Sequence, residues 1–470
     1  MSKVRAGKKE ALPGTANCER IKETVTLKTI PESSVPNHAV AALRSEAFLD
    51  ANGRIYGGWL ATFASMIGMA LGPNCILAFC FGSFVMPLER EFGWGLGAIS
   101  LGATLISAMI VVTSLIAGYL VDRVGCRKLV LGSMPLFAAG VSGLSHLNSN
   151  ILVFYAALVL VSSLGLGVWH ISYNKITAGW FDRRLGLSLG FANAGIGIGA
   201  AVLPALVAVV IAGYGWRTAY GVLGILALVP WPIALFALKD AAPARDDRSS
   251  VVLEAPDGLS MREASRTSEF WAIFAGFAIF GATSGTIVIH QVHLLVDSGM
   301  SAKDAGVLQS VLGIALIVGR VCTGWLLDRF RAQTIMCMLC LAASGALALF
   351  AAGSPYGSAA VSATVIGFVL GAELDVLGFL VRRYFGLRAF SMIYGVIFSG
   401  FQIGAAVSIA IVGISRAMLG SYAIPLAVLA VAVFIAAVLF SRLKPYRFSA
   451  GVEGDTTYPG ELNHGKVQGT

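Results

Sequence analysis

The sequence predicts an all-α integral membrane protein of twelve transmembrane helices in two six-helix, pseudo-symmetric halves. Three observations carry this. The chain is 57% hydrophobic and only 13% charged, against about 45–50% and about 25% in soluble globular chains. Its long apolar runs fall in two sets of six around one polar stretch, and a membrane-crossing helix needs ~20 apolar residues. Short motifs then recur between the two sets at nearly one offset. This composition argues against a soluble enzyme, a nucleic-acid-binding protein and a disordered scaffold. It also argues against an outer-membrane barrel, whose strands alternate apolar and polar over ~10 residues.

Residues 1–54 hold nine Lys/Arg and six Asp/Glu and read as a cytoplasmic tail. The apolar segments 58–86, 96–120, 129–147, 151–176, 186–212 and 218–238 make an N-terminal six-helix bundle over 55–238. Residues 239–268, with five basic and six acidic side chains, read as a cytoplasmic central loop. Segments 270–296, 304–327, 333–352, 358–381, 391–415 and 420–441 make a C-terminal bundle over 269–441, and 442–470 is a second cytoplasmic tail. No secretory signal is expected, because the first long apolar run begins near Trp59.

With the N-terminus inside, the short inner loops carry eleven basic residues and the outer loops four: Arg90, Arg217, Lys303 and Arg416. The positive-inside rule then places both termini in the cytoplasm of a multi-pass cell (inner) membrane protein. The net charge of +9 has the same source and implies no nucleic-acid partner. The seven cysteines imply no disulfide framework; Cys337 and Cys340 have redox-motif spacing but lie in an apolar segment, where a thiol acts as a small hydrophobe.

The repeat is specific. Gly118-Tyr119-Leu120-Val121-Asp122-Arg123 is echoed by Gly324-Trp325-Leu326-Leu327-Asp328-Arg329. Gly195-Ile196-Gly197-Ile198-Gly199 is echoed by Gly400-Phe401-Gln402-Ile403-Gly404, and Trp180-Phe181 by Tyr384-Phe385. Duplicated halves of this kind mark carriers that rock around a central site. Glycines four apart in the fifth and eleventh spans put small residues on one face, which lets helices approach closely.

Charge inside the apolar spans points to the site. Arg320, in Ile317-Val318-Gly319-Arg320, lies eight residues before Asp328, about 12 Å along a helix. Inserting an Arg at that depth costs ~2.5–3.5 kcal/mol or more. Its guanidinium can grip a carboxylate with two parallel hydrogen bonds. Two readings follow: a substrate-anion site, or a fixed pair with an acidic residue. Glu373, in the tenth span, has similar depth, and Asp375 points to roughly the opposite helix face. Either carboxylate could serve in proton coupling or gating, or in static pairing. Asn74, just after Pro73, is a candidate cavity contact, as are His170, Tyr173 and Asn174. His290 is a candidate for substrate or proton contact, or for helix packing beside His293. No metal-ligand set, no nucleotide-binding loop and no nucleophile–base pair is found, so neither an enzyme nor a cofactor is expected.

Gly118, Asp122, Arg123, Gly125, Arg127 and Lys128 match, position by position, the loop 2–3 signature of the major facilitator superfamily (G-x-L-x-D-R-x-G-x-R-K). The resemblance implies the major facilitator fold, with this loop as a cytoplasmic gate between the halves. The second copy keeps Asp328 and Arg329 but lacks the later Gly and Arg-Lys pair, which implies a weaker latch. Over about residues 55–441 the chain also resembles the monocarboxylate-transporter and oxalate–formate-antiporter branch. Gly57-Gly58-Trp59, Gly319-Arg320 with Gly324, and Arg383-Tyr384-Phe385-Gly386 with Tyr394-Gly395 carry that likeness. By resemblance, Arg320 binds a substrate carboxylate. Where that branch has an acid one turn before the Arg, this chain has Leu316. No Lys stands between Arg54 and Arg123, and no cation within 391–415. Two-cation capture of a dicarboxylate is therefore disfavoured, and Glu373 or Asp375 is the candidate replacement for the missing acid.

The resulting expectation is a secondary carrier. It moves a small organic anion, a monocarboxylate or an acid from aromatic catabolism, by alternating access, coupled to a proton or a counter-anion, and works as a monomer in the lipid bilayer. The alternative is an exporter of amphipathic compounds on the same fold.

Overall fold

In the first apolar segment the helix does not run straight. The computed structural model, which describes residues 56–238, 258–353 and 356–448, begins with α1 (Gly57–Ala70), a π-helical stretch at Asn74–Phe79 and α2 (Phe81–Phe92). Pro73 immediately precedes the π stretch; a proline lacks the N–H that a regular helix needs and loosens the turn around it. Then follow α3 (Leu96–Val124), α4 (Cys126–Gly143), α5 (Ile151–Leu164), α6 (His170–Trp180), α7 (Leu185–Leu228) and α8 (Pro230–Ala237). After the central loop come α9 (Met261–Ala264), α10 (Ser268–Asp297), α11 (Ala302–Leu327), α12 (Ala332–Ala351), α13 (Tyr356–Phe385), α14 (Phe390–Leu419) and α15 (Ala423–Ser441). The tails 1–54 and 449–470 and most of the central loop lie outside the described residues.

Ten described segments are long and apolar enough to cross a bilayer. One of them, Leu185–Ala237, is 53 residues long and breaks at Gly215, whose φ of 84° only glycine adopts at low cost. The shorter apolar helix Ile151–Leu164 continues, after a break, into α6. With that division at Gly215 and that broken span, the pattern is compatible with the twelve expected spans. The outward faces are apolar: Val209, Tyr214, Phe236 and Met418 are each more than 70% exposed. In a bilayer such faces meet lipid, and the helices satisfy their own backbone groups.

From Gly57 onward the chain forms one contact unit. On one side α7 packs on α1 and α4; on the other α14 packs on α10, α13 on α11, and α15 on α12. The two sides meet along α3 against α14 and α7 against α11. Small residues set each crossing. A Cβ at Gly118 would strike the Ser391 carbonyl oxygen, and one at Gly186 the Gly324 carbonyl oxygen. Within the halves, a Cβ at Gly195 would strike Met66 O and one at Gly404 would strike Ala278 O. The repeated glycine motifs thus sit at equivalent crossings in both halves.

Residues 442–448, read from sequence only as the start of a polar tail, are docked on the bundle. The Tyr446 hydroxyl accepts from Ala332 N at 2.6 Å, and Tyr384 Oη donates to Lys444 O at 2.6 Å. Arg447 N and Phe448 N donate to Arg383 O. Lys444 and Arg447 reach the buried Glu269 at 3.2 and 3.8 Å. The described end of the central loop is tied to the same turn, with Leu259 N donating to Phe385 O at 2.8 Å.

Candidate functional site

A cavity of about 760 Å³ lies between the two halves, lined from the π stretch, α7, α10, α11, α13 and α14. Its walls are mostly apolar, with Ile196, Ile317, Phe398 and Phe401 among them, and its polar side chains are Asn74, Ser284, Ser310, Arg320, Glu373 and Gln402. Phe79, Ile289 and Ile314, which line it, are each at least half exposed. They lie toward the end of the bundle opposite Asp122. The cavity therefore opens away from the Asp122 end.

That Asp122 end is closed by contacts between the halves. Asp122 accepts from Ser391 N at 3.2 Å and Met392 N at 2.9 Å. Asp328 accepts from Gly186 N at 2.6 Å and Leu187 N at 2.9 Å. These N–H groups belong to the first turns of α14 and α7, whose own N-cap residues provide no side-chain cap. Each helix start is capped by a carboxylate from the other half, where the unsatisfied N–H groups and the helix dipole favour negative charge. Asp328 makes the same two-bond contact as Asp122, although its motif is incomplete. The two contacts have the carboxylate and the glycine crossing in common.

The rest of the motif acts locally. Gly125 turns the chain at φ 93°. Arg127 Nη2 donates to Leu235 O of α8 at 2.8 Å, within its own half. Arg123 lies 4.5 Å over the Tyr119 ring and Arg329 3.9 Å over the Trp325 ring. Lys128 is exposed. Lys175 pairs with Asp122 at 2.5 Å. A third contact crosses the halves: Arg383 donates to Asp182 Oδ1 at 2.7 Å and to Asp182 O at 2.6 Å.

Between cavity and latch sits a polar layer. Asn174 Nδ2 donates to Tyr394 Oη at 3.1 Å, and Asn193 Nδ2 donates to Asn174 Oδ1 at 3.0 Å. Ser114 and Ser399 hydroxyls meet at 3.0 Å across α3 and α14. The His170 ring stands edge-on to Phe398 at 4.5 Å, and its Nδ1 is 3.4 Å from Asn74 Nδ2.

Arg320 is 4% exposed. Among the described residues its one hydrogen bond runs from Nη1 to Asn193 O at 3.5 Å, and its Nε has no partner. No described carboxylate oxygen comes within 4.0 Å of the guanidinium. A guanidinium has five donors, so most of its hydrogen-bonding capacity is unspent in the cavity wall. Asn74, Arg320 and Glu373 meet at this cavity. Asp375 is fully buried behind it, two residues or ~200° around α13 from Glu373. His290 does not line the cavity. One residue beyond Ile289, and so ~100° around the helix, it turns toward α14, with Nε2 3.2 Å from Ile409 O and its ring 5.7 Å from that of Tyr422.

The family model of the Major Facilitator Superfamily matches residues 58–409. The chain belongs to the major facilitator superfamily. Its relatives include the uncharacterized MFS-type transporter YhjX of Escherichia coli, 26% identical over 355 residues, covering 74% of this chain and 85% of the relative. They also include monocarboxylate transporter 13 of Rattus norvegicus, 26% identical over 390 residues, covering 78% and 84%. The riboflavin transporter RibJ of Trypanosoma brucei is 31% identical over 153 residues, 33% of this chain and 28% of the relative. The crystal structure of the Escherichia coli fucose:proton symporter FucP covers 82% of this chain and 98% of its own, with TM-score 0.61 at 16% identity. A FucP structure in the outward conformation gives TM-score 0.62. The solved structures establish the shared fold. This major facilitator protein is thus a membrane transport protein, multi-pass and all-helical.

Sequence reasoning missed Asn193, Gln402 and Ser310. Asn193 and Gln402 are single amides in apolar spans and Ser310 follows Gln309, so the signal is in the sequence. Among the described residues no group of three or more His, Cys, Asp or Glu could hold a metal ion.

Proposed function

We propose that this major facilitator protein is a secondary carrier of small organic anions, with Arg320 as the carboxylate-binding residue and the Asp122 end facing the cytoplasm. The observation that carries the reading is the buried Arg320 guanidinium in the cavity wall, its donors largely unspent and no described acid within 4.0 Å. An anion entering from the open end can take two parallel hydrogen bonds there, in a low-dielectric site that strengthens them. Phe398, Phe401 and Ile317 around it suit an apolar body. The substrate is therefore an amphipathic monocarboxylate, such as an aromatic or branched acid. Glu373 shares the wall and can accept or release a proton as the anion binds. Asn74 and Gln402 offer neutral hydrogen bonds that orient the substrate.

Uptake of a labelled carboxylate panel into proteoliposomes, with and without an inward proton gradient, tests this. Gradient-stimulated uptake of one acid supports proton symport, and uptake that needs preloaded acid supports exchange. Arg320→Lys keeps the charge but loses the planar fork. One charge-assisted bond contributes about 1.5–3 kcal/mol, so uptake affinity should fall roughly 10- to 150-fold. Wild-type transport by Arg320→Lys would overturn the assignment. No uptake of any acid, with drug sensitivity on deletion, would favour an exporter of amphipathic compounds, to which the mostly apolar lining also lends itself.

A further inference from the structure

Residues 442–448 follow the last span without any periodicity, yet they are fastened across the Asp122 end of the C-terminal half. Two of their contacts serve helix termini, where backbone groups lack partners in their own helix. α12 begins at Ala332 with no side-chain cap from Arg331, and the Tyr446 hydroxyl accepts from Ala332 N at 2.6 Å. Arg383 O is one of the last four carbonyls of α13, and it accepts from Arg447 N at 3.2 Å and Phe448 N at 3.0 Å. Lys444 O accepts from Tyr384 Oη at 2.6 Å and from Gln333 Nε2 at 3.1 Å. Glu269, buried in the first turn of α10, has the Lys444 and Arg447 side chains at 3.2 and 3.8 Å. The segment thus ties the starts of α10 and α12 to the end of α13.

Arg383 carries this tie to the other half. Its backbone oxygen holds the segment, while its side chain donates to Asp182 Oδ1 at 2.7 Å and Asp182 O at 2.6 Å across the halves. A second path runs through rings. The Arg383 guanidinium lies 5.4 Å from the centre of the Phe379 ring, and the Tyr446 ring stands edge-on to Phe379 at 6.1 Å and to Tyr384 at 5.5 Å. A long Arg side chain loses much rotamer freedom when it is held in one geometry. A fixed backbone below it and a packed ring beside it reduce that loss. We propose that the 442–448 segment is a strap that slows opening of the Asp122 end by holding Arg383 in place for Asp182. With the strap docked, the halves stay together there for longer; with it displaced, the end opens more often. The proposal rests on the carrier reading, in which that end must open, and on none of the Arg320 assignment.

The test uses the full chain in proteoliposomes without added substrate. Native cysteines are replaced, Ser399→Cys at the α3–α14 seam is the reporter, and an impermeant maleimide is supplied on the Asp122 side. Arg383→Ala removes the side-chain link but leaves the backbone oxygen that the strap uses. It should speed labelling roughly 10- to 150-fold, the range of one charge-assisted bond. Tyr446→Ala should speed it roughly 2- to 10-fold, the range of one neutral hydrogen bond. Tyr446→Phe keeps the ring and loses only the hydroxyl, so it should move the rate the same way by less. Added to Arg383→Ala, Tyr446→Ala should change nothing further. Native-rate labelling in Tyr446→Ala overturns the proposal. So does a full Tyr446→Ala acceleration in the Arg383→Ala chain, since the segment would then act on the C-terminal half alone. If Ser399→Cys is labelled in none of the chains, Asp122→Ala included, that end does not open and the carrier reading falls with the strap. If labelling follows the expected pattern but no carboxylate is transported, the strap stands and the anion reading falls.

Discussion

Replacing Asp328 by Ala should weaken closure of the Asp122 end as much as replacing Asp122 does. The Asp328 carboxylate accepts two backbone N–H bonds, at 2.6 and 2.9 Å, from the start of α7. Such charge-assisted bonds contribute about 1.5–3 kcal/mol each when intact. Water replaces part of that when the halves part, because the first-turn N–H groups then become solvated. A net loss of about 2–3 kcal/mol in the closed form is the expected result. At 1.4 kcal/mol per tenfold, the open fraction should rise roughly 30- to 150-fold. A cysteine at Ser399, buried where α3 meets α14, reports this fraction. Its alkylation by an impermeant maleimide supplied from the Asp122 side should accelerate by the same factor. Asp122→Ala should match or exceed it, because it also strands Lys175. The double variant should approach the product, since the two latches sit at separate crossings. If Asp328→Ala changes the rate less than threefold while Asp122→Ala changes it by tens, the second latch is decorative and the reasoning fails.

Other outcomes follow from the same geometry. Gly195→Ala and Gly404→Ala each drive a Cβ into a facing carbonyl oxygen and should cost about 1–3 kcal/mol. Gly132→Ala and Gly345→Ala, in open space, should cost nothing measurable in detergent melting. Tyr446→Ala removes the acceptor for Ala332 N and loosens the segment whose N–H groups hold Arg383 O. Faster exchange of the 442–448 amides and a weaker Asp182–Arg383 link, read by a double-mutant cycle, are expected. Glu91 accepts from Trp216 Nε1 and pairs with Arg217, and these partners hold its carboxyl below the usual carboxylate range. Its contribution to stability is present above the ordinary value near 4.5 and lost as pH falls through the lowered folded value. The pair is more than a third exposed and screened by solvent. Melting curves of Glu91→Gln and native protein should therefore differ slightly at pH 7 and converge at acid pH.

Much of the site could be seen in the residues before any coordinates. Arg320, Glu373 and Asn74 stand out because charge and amide groups are costly in apolar spans, and all three meet at one cavity. His290 drew the same argument but faces α14, since polarity alone does not tell which way a helix is turned. Asn193 was passed over, although it touches both Arg320 and the inter-half layer; one amide in a glycine-rich span looks like packing until its neighbours are known. The 442–448 segment has no periodicity, and only its partners, Ala332, Tyr384 and Glu269, give it a place.

What the chain determined alone was whatever is local or one-dimensional. Hydropathy against a fixed bilayer thickness sets the spans, Gly215 sets a break, and the duplicated Gly and Asp motifs set which helices can approach closely. The tertiary structure decided what depends on helix rotation and on meetings between distant segments. It gave Asp328 the same two-bond contact as Asp122, left Arg320 without an ion-pair partner among the described residues, and put Glu373 on the cavity and Asp375 in the buried seam. The physical reason is that two residues on one turn differ by ~200° in direction, and only packing against the other half tells which direction is water, lipid or protein.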